Sequence, residues 1–187
     1  MITCVIYKMS KIEIILGPMF SGKSTELLRR TSRYEAIGKK IMYINHSLDT
    51  RYGLDKISTH DHQETKAVMT PKLMHVLKTE PFNECDIIAI NEAQFFTDLI
   101  EFCKISMDEF GKHIIIAGLD GDYRREPFGD ILQLIPLAES DDVIKLSAYC
   151  KICAVKASFT KRVTPDPSQI VIGTDDCYIP VCAAHYA

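Results

Sequence analysis

An α/β fold with a mostly parallel sheet flanked by helices is the class that three observations predict. Ile-rich runs of five or six residues alternate with helical stretches through roughly the first 147 positions. Those runs are almost continuously apolar, so both faces of the sheet they form must be covered. A glycine-rich turn carrying a lysine closes the first run and opens the first helix.

Composition bounds the rest. A chain of 187 residues, 47% hydrophobic and 25% charged, suffices for one core plus a small appendage. Its 22 basic and 25 acidic residues, net charge -3, lack the basic footprint of a general nucleic-acid binder. No apolar run reaches the roughly 18 to 20 residues that span a bilayer. Residues 1–10 lack the basic start and long apolar stretch of a leader. The expectation is a cytoplasmic protein with neither nucleic acid nor membrane as partner.

In chain order, residues 12–16 read as a buried strand, 24–37 as a helix and 41–45 as a second strand. Residues 47–63, polar and containing Gly53, read as a long loop. A strand at 86–91, a helix at 98–110, a strand at 113–118 and a helix at 129–135 follow. Beyond Leu146 the pattern shortens to β-like pieces at 154–159 and 169–172, separated by Thr164-Pro165-Asp166-Pro167, where two prolines forbid a regular helix. Four of the seven cysteines lie in the last 38 residues. The expected division is therefore an α/β nucleotide-binding domain over 1–147 and a metal-binding β subdomain over 148–187.

The string Gly17-Pro18-Met19-Phe20-Ser21-Gly22-Lys23-Ser24 matches G-x-x-x-x-G-K-[ST] between a strand and a helix. The chain's own composition predicts only about 0.004 chance matches to that pattern. Small residues let successive backbone N–H groups converge on a phosphate, and the helix presents its positive end. Lys23 then serves the β- and γ-phosphates, and Ser24 offers a hydroxyl to Mg²⁺. The motif predicts binding of a nucleoside triphosphate, ATP or GTP.

A phosphate loop needs a carboxylate at the end of a neighbouring strand, and the run 86–94 has that form. Asn91 occupies the usual Asp position, and an amide brings no charge to a metal. Glu92 follows at once. It is either a metal partner or a general base that takes the proton of an attacking hydroxyl.

Cys150-x-x-Cys153 and Cys182-x-x-His185, 28 residues apart, have the spacing of a zinc ribbon in which two loops clasp one tetrahedral ion. The Cys₃His set leaves no open position, which makes the metal structural. Cys177 is the alternative fourth ligand. Cys4, Cys85 and Cys103 read as ordinary thiols.

Together these residues resemble the type II thymidine kinases. The resemblance runs from about Ile12 to Tyr186 and is carried by residues 17–25, Asp49-Thr50-Arg51-Tyr52, Thr59-His60-Asp61, Glu92-Ala93-Gln94-Phe95-Phe96, Leu119-Asp120-Gly121, Pro127-Phe128-Gly129 and the paired metal ligands. It implies transfer of the ATP γ-phosphate to the 5′-hydroxyl of thymidine, with Glu92 as general base. It implies that Asp49, Thr50 and Arg51, with Asn91, Glu92, Ala93 and Gln94, border the nucleotide site. The family's lasso-like loop over the nucleoside would be 161–169, with Gln169, Ile170, Val171, Ile172, Gly173 and Tyr178 completing the pocket. Tyr123 stands where the family has a Phe against the thymine ring, and Met19, Phe95, Leu119, Phe128 and Thr160 would be walls. Asn91 and His185 depart from the Asp and the fourth Cys of the family pattern. Homotetramers and feedback inhibition by dTTP are also implied by the resemblance.

Overall fold

A computed structural model describes residues 10–49, 56–58, 64–171, 173 and 176–186. Strand β1 (Lys11–Leu16) leads through the glycine-rich turn into helix α1 (Lys23–Glu35), followed by β2 (Ile41–His46), a short pair β3 (Lys56–Ser58) and β4 (Glu64–Lys66), and β5 (Val68–Thr70). Helix α2 (Glu80–Glu84) precedes β6 (Ile87–Ile90), and α3 (Leu99–Asp108) precedes β7 (His113–Gly118). A 3₁₀ segment (Ile131–Leu137) then leads to β8 (Val143–Lys145). The C-terminal part holds β9 (Ala148–Tyr149), β10 (Lys156–Ala157), β11 (Phe159–Arg162), β12 (Tyr178–Val181) and α4 (Ala183–Tyr186).

Six strands form one sheet in the order β5-β2-β6-β7-β1-β8, and every pairing in it is parallel. Alternation along β1 explains how it is covered on both faces. Ile12, Ile14 and Leu16 join Phe82, Phe96, Phe102 and Leu134 on one side, while Ile15 joins Leu27 and Leu28 of α1 on the other. A third apolar cluster, Ala148, Cys150, Ala157 and Val181, lies in the C-terminal part, with Phe20 of the turn packed against it.

Several expectations need correction. The acidic strand β6 is not adjacent to β1, because β7 lies between them. Residues 56–58, expected in a long loop, pair antiparallel with β4 and bury Ile57. The helix expected at 129–135 is a 3₁₀ segment containing Pro136. Its buried Ile131 and Leu134 are spaced by three, and Pro136 supplies no N–H for an α-turn. No strand forms at 169–171, and Ile172 lies outside the described residues.

Candidate phosphotransfer site and metal centre

The glycine-rich turn sits at the carboxyl end of β1, where an open parallel sheet presents its ligand crevice. Its geometry depends on two glycines. Gly17 has φ +146°, and a Cβ there would meet Leu146 O at 2.7 Å and Ser21 Oγ at 2.8 Å. Gly22, with φ 81°, caps α1 in the left-handed region. Phe20 adopts φ 64° without being glycine, a strained conformation of the kind found at functional turns. The Lys23 ammonium donates to Pro18 O at 2.7 Å, and Ser21 Oγ donates to the same carbonyl at 2.8 Å. Met19 N donates to Thr160 Oγ1 at 3.0 Å and so ties the turn to β11.

The strand that carries the carboxylate is two places away, yet its end reaches α1. Ser24 Oγ donates to Asn91 Oδ1 at 3.0 Å. Asn91 Nδ2 donates to Asn45 Oδ1 at 3.3 Å, and Asn45 Nδ2 donates to Asp49 Oδ2 at 3.1 Å. Asn45, Asp49 and Asn91 are all buried, so a polar relay runs beneath the turn from the serine to an acid on the β2 side. Asn45 was missed in the sequence, although a polar residue near the end of an apolar strand was its visible signal. Thr50 and Arg51 lie outside the described residues.

Glu92 follows Asn91 in the left-handed region, φ 51° and ψ 41°. Gln94 Nε2 donates to Glu92 Oε2 at 2.6 Å, and Leu119 N donates to Gln94 Oε1 at 3.0 Å. The buried Gln94 side chain therefore fixes the carboxylate against the end of β7, beside the buried Ala93. Phe95 and Phe128 meet edge to face at 5.6 Å, and Leu119 and Phe128 are buried.

The 120s turn and the 163–171 segment face each other. Tyr123 Oη donates to Pro167 O at 3.0 Å, and Gln169 Nε2 donates to Asp122 Oδ2 at 3.0 Å. The Tyr123 ring has the Arg162 guanidinium 3.8 Å from its centroid. Tyr178 Oη donates to Val171 O at 3.1 Å. Ile170 is exposed, and Gly173 lies against Cys177, whose sulfur a Cβ would strike.

Cys150, Cys153, Cys182 and His185 converge, with their ligand atoms all within 4.8 Å of one another. Zn–S bonds of about 2.3 Å and a Zn–N bond of about 2.0 Å set tetrahedral edges of about 3.8 Å for S···S and about 3.5 Å for S···N. Cys153 Sγ and Cys182 Sγ are 3.8 Å apart, and His185 Nδ1 lies 3.6 Å from Cys150 Sγ and 3.4 Å from Cys182 Sγ. The donor set and its edges fit zinc. Burial pushes the Cys150 thiol up, but backbone N–H groups of Cys182, Ile152 and Cys153 outweigh that and lower it to about 6, towards the thiolate a metal needs. Cys177 is not part of the group. Cys85 and Cys103 are buried thiols held up by burial, and Cys4 lies outside the described residues.

An all-parallel sheet with this turn after its β1 strand defines a phosphate-loop nucleotide-binding protein of the α/β class. The profile of the family described as "Thymidine kinase" matches residues 10–186. The chain belongs to the thymidine kinase family. It is 46% identical over 178 residues to thymidine kinase a of Arabidopsis thaliana, covering 94% of this chain and 74% of that one. The thymidine kinase of vaccinia virus strain Western Reserve is 45% identical over 175 residues, covering 94% of this chain and 96% of the viral one. The rice thymidine kinase is 44% identical over 180 residues, and the match spans 66% of its length. Among the described residues no helix is long and apolar enough to cross a membrane.

Proposed function

We propose that this chain transfers the γ-phosphate of ATP to the 5′-hydroxyl of thymidine, giving thymidine monophosphate and ADP. The observation that supports the reading is the junction of Ser24 with Asn91, which joins the phosphate loop to the Glu92 turn at the carboxyl end of the sheet. Residues 17–24 hold the donor phosphates through backbone N–H groups and Lys23. Asp49, Thr50, Arg51, Asn91, Ala93 and Gln94 border the nucleotide. Glu92 takes the proton of the attacking hydroxyl, its carboxylate aimed by Gln94. Mg²⁺, when bound, neutralises charge on the transferring phosphate, with Ser24 as its hydroxyl partner.

The acceptor lies between the 120s turn and the segment at 163–173, with Tyr123, Gln169, Ile170, Val171, Ile172, Gly173 and Tyr178 around it. Zinc on Cys150, Cys153, Cys182 and His185 holds together the two ends of the chain that flank this segment. An apolar cluster of Ala148, Cys150, Ala157 and Val181, against which Phe20 of the phosphate loop packs, supports division of the chain into 1–147 and 148–187. A cytoplasmic homotetramer inhibited by dTTP rests on the family resemblance alone, and light scattering with and without dTTP tests it.

The test is ADP release with thymidine, deoxyuridine, deoxycytidine or no acceptor, with bound zinc quantified on the same sample. Thymidine-dependent turnover at about one zinc per chain is expected. Turnover that ignores the acceptor would make the protein a nucleotide hydrolase or switch, and preference for another nucleoside would reassign the pocket.

A further inference from the structure

Arg162, the last residue of β11, is 9% exposed, and its charge is met by oxygens of uncharged groups. Nη1 donates to Asp166 O at 2.8 Å and also to Ser168 O, while Nη2 donates to Gln169 O at 3.0 Å and Tyr178 Oη at 2.5 Å. Among the described residues no carboxylate lies within ion-pair distance of it, and its buried Nε has no hydrogen-bond partner. Burying a guanidinium in this way is expensive, and a planar fork that gathers three carbonyls of one segment is a role a lysine cannot reproduce.

The neighbouring carbonyls are also taken. Pro167 O accepts from Tyr123 Oη and from Arg124 Nη2 at 2.5 Å, and Val171 O accepts from Tyr178 Oη. Carbonyls 166 to 169 thus turn onto two arginines and a tyrosine, which pins the segment against the 120s turn. The Arg162 guanidinium also lies over the Tyr123 ring at 3.8 Å. One side chain therefore sets both the course of 163–171 and the position of the aromatic opposite it.

We propose that Arg162 is a positioning residue for the acceptor: it holds the 163–171 segment and Tyr123 in register, and acts on acceptor binding without touching phosphate chemistry. The proposal rests on the reading of this region as the thymidine site. Its test therefore pairs a kinetic measurement with one that needs no acceptor.

The full-length, zinc-loaded chain and its Arg162→Met and Arg162→Lys variants would be compared in steady-state kinetics. Arg162→Met should raise the thymidine KM by about ten- to a hundredfold, keep kcat within about threefold and leave the ATP KM and zinc content unchanged. Arg162→Lys, which keeps the charge without the fork, should recover only part of the loss. Proteinase K should cut the Arg162→Met chain between residues 163 and 177 at least about tenfold faster than the wild type, with the rest of the chain equally resistant. An unchanged thymidine KM overturns the proposal, as does a parallel rise in both KM values with loss of zinc, which would mark a merely structural residue. Full recovery by lysine would overturn the assignment to the fork. If the wild type ignores thymidine, the functional reading falls, while unchanged proteolysis in Arg162→Met would separately sink the hold on the segment.

Discussion

Strand β1 has different chemistry at its two ends. Near its start the buried Glu13 accepts from Arg30 Nη1 at 2.6 Å and Tyr34 Oη at 3.1 Å, and lies 3.0 Å from His113 Nε2. Arg30 is shared with Glu26 at 2.9 Å, and Lys11 pairs with Asp142 at 2.7 Å. Charge there is matched by opposite charge, and none of these residues has positive φ. At the far end Phe20 is left-handed, as is Glu92 at the same end of β6, and uncharged amides link Ser24 to Asp49. One end is built as a satisfied network and stabilises the sheet. The other stores backbone strain of about 1 to 3 kcal/mol per residue, tolerable because the first end and the core over-determine the strand.

The sharpest way to test that division is to change each end and ask whether stability or turnover responds. Glu92→Gln keeps the size and the contact with Gln94 but removes the carboxylate proposed as the base. Turnover should fall about 10² to 10⁴-fold while thymidine affinity stays nearly constant, because a general base acts mainly in the transition state. Thermal stability should hardly move. Steady-state kinetics beside calorimetry checks both, and undiminished kcat would remove Glu92 from the role.

Glu13→Gln should behave in the opposite way. Removing the charge leaves the guanidinium of Arg30 with Glu26 as its remaining carboxylate partner, a loss of about 3 kcal/mol of unfolding free energy, while kcat per folded molecule stays at the wild-type level. Burial pushes the Glu13 carboxyl up, but hydrogen bonds from His113 and Arg30 outweigh it and hold it at about 2. Because the folded value is depressed, its stabilisation is complete above the ordinary value of about 4.5 and is lost as pH falls from there towards 2. Urea titrations across that window should show wild type losing its advantage over Glu13→Gln. Two curves with a constant gap would mean that Glu13 does not titrate as described.

What the sequence disclosed follows the same division. β1, β2, β6 and β7 were legible because buried parallel strands are apolar on both faces, and the phosphate loop because its spacing is local. The neighbour order was not, since nothing in residues 86–94 says that β7 will insert beside β1. The Gln169-Ile170-Val171 run imitates a strand, but its carbonyls go to Arg162 and Tyr178 rather than to a ladder. Arg162 itself left no trace, because three of the oxygens it gathers are main-chain carbonyls that every residue possesses. The Cys/His cluster was readable as two pairs, whereas its convergence and the hydrogen bond from Tyr186 Oη to Tyr123 O at 2.5 Å belong to tertiary packing.

The smallest expected effect, and the finest test of the site end, is Asn91→Asp. The relay has a direction: Asn91 Nδ2 donates to Asn45 Oδ1, and Asn45 Nδ2 donates to Asp49 Oδ2. A carboxylate at position 91 removes the first donor and sets an anionic oxygen about 3.3 Å from the Asn45 carbonyl. Flipping the Asn45 amide would repair that contact only by turning its oxygen onto Asp49. The substitution should therefore cost about 1 to 2 kcal/mol of stability without metal, the price of an unmatched buried acceptor. Mg²⁺ should restore most of it, because a cation beside Ser24 relieves two carboxylates at once. Melting curves with and without Mg²⁺, together with the Mg²⁺ dependence of turnover, should show the variant half-saturated at severalfold lower Mg²⁺. A variant as stable as wild type without metal, with the same Mg²⁺ requirement, would mean that position 91 does not govern the charge of the site.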